Sequence, residues 1–537
     1  MTVITKSGTN QLHGSAWAIN DNARFQAKNF FNTAAKPKNN NNIDGVTVGG
    51  PVVKNKFFYF FGWEAQHERL GATQFLTVPT ADQRAGDFSR YNAVIYDHAT
   101  GNADGSGRTP FAGNIVPLGR QSAVIRRIQD LIPLPNLPGT ASNFLANGSQ
   151  RLDKNHFDTK VNWNRTTSNM IWGKYSTMLA KVGCDAAFGA GGGLPLCPAG
   201  SSIGDGDLRT QVATAGTTYM FSPTFLYDGL FGWTRQGQLV TGFAYGTDVG
   251  KTVGIPGTNG KDIRESGAPT LNIAGYTNHL SDTDTRPFIM HDSSFTTNHN
   301  FSLMRSKHDM RFGFEGVRHV LNEYSPDGGG FGGPQGILRF TQGITSTTGA
   351  ALTQYNSYAS YLLGLPQSMG RAAQQEIMTA YNNQFAFYLR DRFQVSQKLT
   401  LSLGVRYELY PLQTRSGRGG IEGYDPNTNI VTIGGLGGVP KDVGVSTSHK
   451  LFAPRVGFAY RLGTKMVVRA GYGLTFMPMA MARPLRGFFP LIIASNFNSP
   501  NSFQPVRTVE QGIPLIVAPD ISSGRVQLPV AAQMRYI

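Results

Sequence analysis

The chain has 537 residues, 15% of them charged, and a formal net charge of +16, where an ordinary soluble domain is roughly 25% charged. It holds no run of 18 apolar residues, which argues against a helical membrane span, and its first ten residues show no apolar core of a secretory leader. The 49 Lys and Arg residues are scattered, with no run longer than the pair Arg126–Arg127, so the basic balance points to a generally basic surface and not to nucleic acid.

With 65 Gly and 29 Pro, the composition favours turns and strands over helices. Two-residue alternation, the mark of a strand with two unlike faces, recurs along the chain. At 156–165, Phe157, Val161 and Trp163 oppose Asp158, Lys160, Asn162 and Asn164. At 225–235, Tyr227, Phe231 and Trp233 oppose Asp228, Gly232 and Thr234. At 308–319, Met310, Phe312 and Phe314 oppose Arg311, Gly313 and Glu315. At 398–410, Leu399, Leu401, Leu403, Val405, Tyr407 and Leu409 oppose Thr400, Ser402, Gly404, Arg406, Glu408 and Tyr410. The segments 451–462 and 464–476 repeat the pattern, with Arg455 and Arg469 on the polar side. Strands are expected near 11–19, 43–52, 57–66, 156–164, 169–178, 211–220, 225–234, 293–302, 307–318, 383–394, 398–409, 452–461 and 465–476.

Segments of about 9–12 residues span a bilayer when tilted. Their connections fall into two classes. Short polar turns occur at 53–57, 164–169, 220–225, 303–308, 395–399 and 461–465; long Gly/Asn/Ser/Pro-rich stretches run over 67–155, 179–210, 236–292, 320–380, 411–450 and from 477 onward. That layout predicts an all-β, antiparallel outer-membrane transmembrane β-barrel with short periplasmic turns and long extracellular loops. The alternative is a soluble β-sandwich or jelly roll with its apolar face inward. In the barrel, Leu401, Leu403, Val405, Phe458, Val468 and Phe312 point to lipid, with Leu403 near the bilayer midplane. Lys160, Arg311, Glu315, Arg406, Glu408, Arg455 and Arg469 face the lumen, whose charges lean positive and favour anionic solutes unless the arginines pair with carboxylates. Thirteen strands is an odd number, whereas bacterial single-chain barrels have an even one. The chain is therefore expected to be a fragment forming an open curved sheet.

Little points to chemistry. His291, Asp292 and His299 match no metal motif, and the two histidines would lie about 27 Å apart along a strand. "DGSG" (104–107) and "DTDT" (282–285) lack the rest of a calcium loop. "SPDGGGFGGPQG" (325–336) lacks the context of a phosphate cradle. No catalytic constellation, cofactor site or metal site is expected. "SAVIRRIQDLI" (122–132) has helical spacing with Ser122 as N-cap and reads as a loop helix packing on its neighbours. Cys184 and Cys197 are the only cysteines. Around a Gly-rich stretch in the loop after 169–178, on the extracellular side, they read as a disulfide.

Several stretches resemble the Oar-like group of TonB-dependent receptors, of the acidobacterial type. They are "TVITKSGTNQLHGSAW" (2–17), "KNFFN" (28–32), "TVGGPVVKNKFFYFFGWEAQ" (47–66), "TVPTADQRAGDFS" (77–89), "RTPFAGNIVP" (108–117), "IPLPN" (132–136), "FYLRDRFQVSQKLTLSLGVRYELY" (387–410), "LFAPRVGFAYRL" (451–462) and "VVRAGYGLTF" (467–476). The resemblance implies a barrel of about 22 strands occluded by a plug, embedded in outer-membrane lipid and energised by TonB through an N-terminal region not seen in this sequence. It implies a receptor that binds a scarce small solute or oligomeric ligand outside the cell and transports it to the periplasm. Residues 1–10 then form the end of the plug and its junction, 11–476 a partial barrel, and 477–537 a loop leading to further strands. A second reading is a non-transporting cell-surface barrel used in adhesion.

Overall fold

Among the described residues, alternating side chains build a wall of thirteen strands. The computed structural model describes residues 5–28, 36, 38–197, 204–281, 286–326, 332–415, 420–478, 490 and 492–528. The start of the expected plug remnant (1–4), the 282–285 stretch, and parts of 28–32, 325–336 and 477–537 lie outside the described residues.

In chain order the wall strands are β1 (His13–Asn22), β2 (Asn39–Val53), β3 (Phe57–Leu76), β4 (Phe144–Thr166), β5 (Asn169–Ala186), β6 (Gly204–Ser222) and β7 (Phe225–Val240). They continue as β8 (Phe288–Arg305), β9 (His308–Tyr324), β10 (Met378–Gln394), β11 (Leu399–Leu409), β12 (Phe452–Arg461) and β13 (Val467–Gly473). Each pairs antiparallel with the next, and among the described residues the sheet is open between β1 and β13. The connections 54–56, 167–168, 223–224, 306–307, 395–398 and 462–466 are short, and every other connection is long. Because strand direction alternates, all the short turns share one edge. At the first, Asn55 has φ 63°, a left-handed conformation that Asn tolerates. Its backbone N–H donates to Asn10 Oδ1 at 2.8 Å, tying the N-terminal segment to the turn.

The expected strands are all present, but several are longer than the alternation suggested. β4 has 23 residues and β3 has 20. Toward the long-loop edge both faces become polar, as in Gln150–Asn155. Ladder hydrogen bonds continue the strand there after the lipid-imposed period has ended.

The register fixes the faces. One row runs Gly62, Asp158, Ser176, Val212, Thr234, Ser294, His319 and Asn382 across neighbouring strands. The same polar face carries Lys160, Arg311, Glu315, Arg406, Glu408, Arg455 and Arg469. Leu401, Leu403, Val405, Phe312, Phe458 and Val468 share the opposite face. On that face Phe231, Phe387, Leu389 and Val456 are each at least half exposed, an apolar extent that water does not tolerate and lipid does. Leu403 is not near the middle of this band. It lies opposite Asp391, which bonds His308 beside a short turn at 2.6 Å.

At the other edge the long connections form a cap rather than separate loops. Phe88, Ile95, Ile125 and Ile128 from 77–143, Leu271 and Leu280 from 241–287, Leu338, Tyr358 and Tyr361 from 325–377, and Val509 and Ile513 share one buried core. Strands Ile492–Asn498, Ser368–Gln374, Ile337–Phe340 and Thr270–Ile273 form a sheet through it. The helix Ala123–Gln129, capped by Ser122, buries Val124, Ile125 and Ile128 there. Each fully buried apolar side chain contributes about 1.5–3 kcal/mol, which is how loops rich in Gly and Pro hold a fixed shape.

Candidate functional site

The polar face of β8–β13 curves around a concavity of about 760 Å³ lined by Asn300, Arg311, Glu315, Tyr388, Arg390 and Arg455, among others. Strand register creates it. Ser302, Arg311, Arg390, Gly404, Arg455 and Gly473 lie on one cross-strand row, so the three arginines share it with three small residues that leave space beside them. Arg311 and Arg390 are directly opposite, about 5 Å apart at the backbone. No ion pair involves Arg311, Arg390, Arg455 or Arg469 among the described residues.

Arg406 behaves differently. Its Nη2 reaches Glu315 Oε2 at 2.5 Å and its Nε reaches Glu408 Oε1 at 2.9 Å. Glu408 is 7% exposed. The two carboxylates thus neutralise Arg406 in a charge-assisted network, which makes it a brace between β9 and β11. Beside it the Tyr388 hydroxyl donates to Asn300 Oδ1.

Lys160 lies some strands away in a second cavity of about 270 Å³ with Thr5, Lys6, Trp17, Glu64 and Lys174. Its Nζ donates to the Thr5 carbonyl at 3.3 Å. The N-terminal segment therefore runs against the polar face, not the apolar one. On the same face Trp17 lies flat over Gly45, where any Cβ would meet the indole.

The cap is locked by polar contacts that no periodicity announces. The buried Arg108 guanidinium donates from Nη1 to the carbonyls of Ile344 (2.6 Å) and Ser346 (2.9 Å) and from Nη2 to that of Phe503 (2.6 Å), joining three long connections. Burial lowers its pKa, and Asp97 and Asp104 oppose that shift. His279 is fully buried, with Nδ1 2.9 Å from the Tyr361 hydroxyl. Burial, followed by the charge of Arg84, pushes its pKa down to about 3. Burial pushes the hydroxyls of Tyr276, Tyr358 and Tyr361 up.

Cys184 and Cys197 are bonded, with Cα atoms 5.7 Å apart. The setting differs from the Gly-rich loop expected after 169–178. Cys184 is within β5, paired with Gln150 and Gly204. The strand Pro195–Leu196 folds back onto Asp185 and Ala186. Between them, Phe188 N–H bonds the Gly192 carbonyl at 2.9 Å and Leu280 N–H bonds the Gly191 carbonyl at 2.8 Å. The glycines let the backbone approach that closely.

His291 and His299 share the apolar face of β8, and His299 bonds the Tyr227 hydroxyl at 2.6 Å. Asp104 is occupied by Ser106, through the backbone N–H at 3.0 Å and the hydroxyl at 2.7 Å. Among the described residues no cluster of three His, Cys, Asp or Glu side chains could hold a metal.

Residues 4–537 match the family model described as an outer membrane beta barrel domain. A comparison with curated proteins finds no match. Similar solved structures include a point mutant of the ferric enterobactin receptor from Pseudomonas aeruginosa, at 10% identity and a TM-score of 0.38 over 87% of this chain and 44% of that one. The ferripyoverdine receptor of the Pseudomonas aeruginosa outer membrane, bound to ferripyoverdine, is similar at 10% identity and a TM-score of 0.42 over 87% and 43%. The siderophore receptor PirA from Acinetobacter baumannii is similar at 11% identity and a TM-score of 0.38 over 87% and 44%. The chain spans less than half the length of each.

Proposed function

The chain belongs to the outer membrane beta barrel domain family, and we propose that it works there as a receptor of the TonB-dependent, Oar-like kind. Its polar face is the lumen, and its apolar face meets the lipid of the outer membrane. Residues 1–10 are the end of a plug, 11–476 the barrel wall with its loops, and 477–537 a further loop over the mouth. A scarce solute binds beneath the cap and passes to the periplasm, with energy drawn through TonB.

The observation that supports this reading is the row Arg311, Arg390 and Arg455. Three cations held without ion pairs on the concave, polar face favour an anionic solute through their summed field. Arg406, Glu315 and Glu408 hold the wall in shape rather than meeting solute. The test is uptake by cells carrying Arg390→Gln with Arg455→Gln, measured for anionic and neutral candidate solutes, with and without a protonophore. Uptake of an anionic solute that falls at least tenfold, spares the neutral one and stops with the protonophore supports the reading. Equal loss for both solutes contradicts the role given to the row. No energy-dependent uptake of any solute would favour a non-transporting surface protein.

A further inference from the structure

We propose that a glycine floor on the polar face of β11–β13 binds the flat face of a ring that carries anionic groups at its edge. Gly404, Gly457 and Gly471 form the floor on three neighbouring strands. Gly457 and Gly471 are directly paired, and Gly404 lies two residues along from Ser402, the other partner of Gly457. None of the three has the left-handed backbone that glycine alone adopts readily. A Cβ built on Gly404 would come no closer than 3.2 Å to the Leu389 carbonyl oxygen. On Gly457 the nearest atom is the Ala470 carbonyl oxygen at 3.3 Å, and on Gly471 that of Val456 at 3.4 Å. Neither backbone conformation nor side-chain crowding therefore requires these glycines. A glycine of that kind inside a strand marks a close approach by something else.

The rest of the wall shows what approaches. On the same face Gly45 lies under Trp17, Gly216 under Trp172 and Gly313 under Tyr388, each ring coming from the directly opposite residue. Gly232 is open but stands singly between Thr214 and Thr296. Over Gly404, Gly457 and Gly471 the nearest atoms among the described residues are backbone and Cβ atoms, not rings. The cavity reaches the backbone here, since Leu403, Val456 and Tyr472 line it although their side chains lie on the opposite face. Two strand spacings by two residues make the floor about 10 Å by 7 Å, room for one or two fused rings lying flat.

The rim supplies the charge. Arg390 and Arg392 stand beside the floor on β10, Arg455 stands between Gly404 and Gly473, and Arg469 lies two residues nearer the short turn than Gly471. All four are exposed, and none enters an ion pair among the described residues. Glu315 and Glu408 are held by Arg406, and Asp309 is directly opposite Arg392, which leaves the rim net positive. Guanidinium groups pair with carboxylates in their own plane and stack on ring faces, so this rim holds anionic groups at the edge of a flat ring. The floor belongs to the face assigned above to solute and rests on that reading, but binding to it is measured without transport.

The test is calorimetric titration of the purified full chain in detergent with naphthalene-2,6-dicarboxylate, with its saturated, puckered counterpart decalin-2,6-dicarboxylate, and with the uncharged dimethyl ester of the former. The flat dianion should bind at least tenfold more tightly than the puckered one. Gly457→Thr with Gly471→Thr adds small polar side chains that strands favour. That variant should bind the flat dianion at least tenfold more weakly and the puckered one unchanged. Equal affinity for the two dianions, or a flat dianion indifferent to the threonines, overturns the floor. Binding of the ester as tightly as the dianion overturns it too, because partition onto the apolar face explains that result. Flat-ring selectivity in a chain that shows no uptake in cells would support the floor and contradict the receptor reading alone. If the double variant does not fold, Gly471→Ala should lose about threefold for the flat dianion, and no loss overturns the proposal.

Discussion

Phe231→Arg and Gly232→Arg place the same charge on neighbouring residues of β7 that face opposite sides. Phe231 is 54% exposed on the apolar face. It lies six residues above Phe225 and four below Arg235, about 15 Å and 10 Å in height after tilt, so it is near the middle of the band. Its cross-strand partners are Ala215 and Thr297, and neither can neutralise a guanidinium. Arginine there should cost about 2–4 kcal/mol, as for cations at the midplane of such barrels. At Gly232 a Cβ meets nothing closer than Thr214 Oγ1 at 3.7 Å, and the polar face solvates the charge. That cost should stay below about 1 kcal/mol. The assay is reversible denaturant unfolding in vesicles, with folded fraction read by heat-modifiable mobility. Equal costs, or a larger cost at Gly232, would refute the assignment of faces.

Three further outcomes concern the cap and the clasp. His279 should make the cap pH-sensitive. Its pKa is about 6.5 when exposed and about 3 in the fold, so the unfolded chain takes up the proton first. The contribution is intact above pH ~6.5 and is lost on acidification, by about 2 kcal/mol at pH 5; hydrogen exchange of cap amides should show this loss, and His279→Phe should flatten it. Arg108→Met strands several buried carbonyls, and at about 1–3 kcal/mol for each group left unpaired it should speed exchange in 343–346 and around Phe503 while leaving the wall unchanged. Reducing Cys184–Cys197 should loosen the return onto β5 by about 3 kcal/mol, seen as new proteolytic cuts within 187–196; unchanged digestion would contradict a stabilising clasp.

The wall was legible because lipid imposes a two-residue period on stretches such as Leu399–Leu409, and no competing signal interrupts it. Strand ends above the bilayer, such as Gln150–Asn155, carry no such period, so their length was invisible. The cap was illegible for a different reason. Its core joins Ile125, Leu271, Tyr358 and Ile513, residues far apart in sequence, and only tertiary packing brings them together. For the arginines, parity gave the face of Arg311, Arg406 and Arg455, but pairing depends on cross-strand register. Only the structure separates Arg406, held by Glu315 and Glu408, from the others.

The central claim is that the apolar face meets lipid and the polar face meets water. A nitroxide scan of β7 from Phe225 to Arg235 tests it most directly, because both native cysteines are bonded and each introduced cysteine labels alone. In vesicles, collisions with oxygen should peak at Tyr227, Gly229, Phe231 and Trp233, and collisions with a water-soluble nickel chelate at Leu230, Gly232 and Thr234, with the lipid signal ending at Arg235. The opposite phase, or accessibility without a two-residue period, would contradict the account.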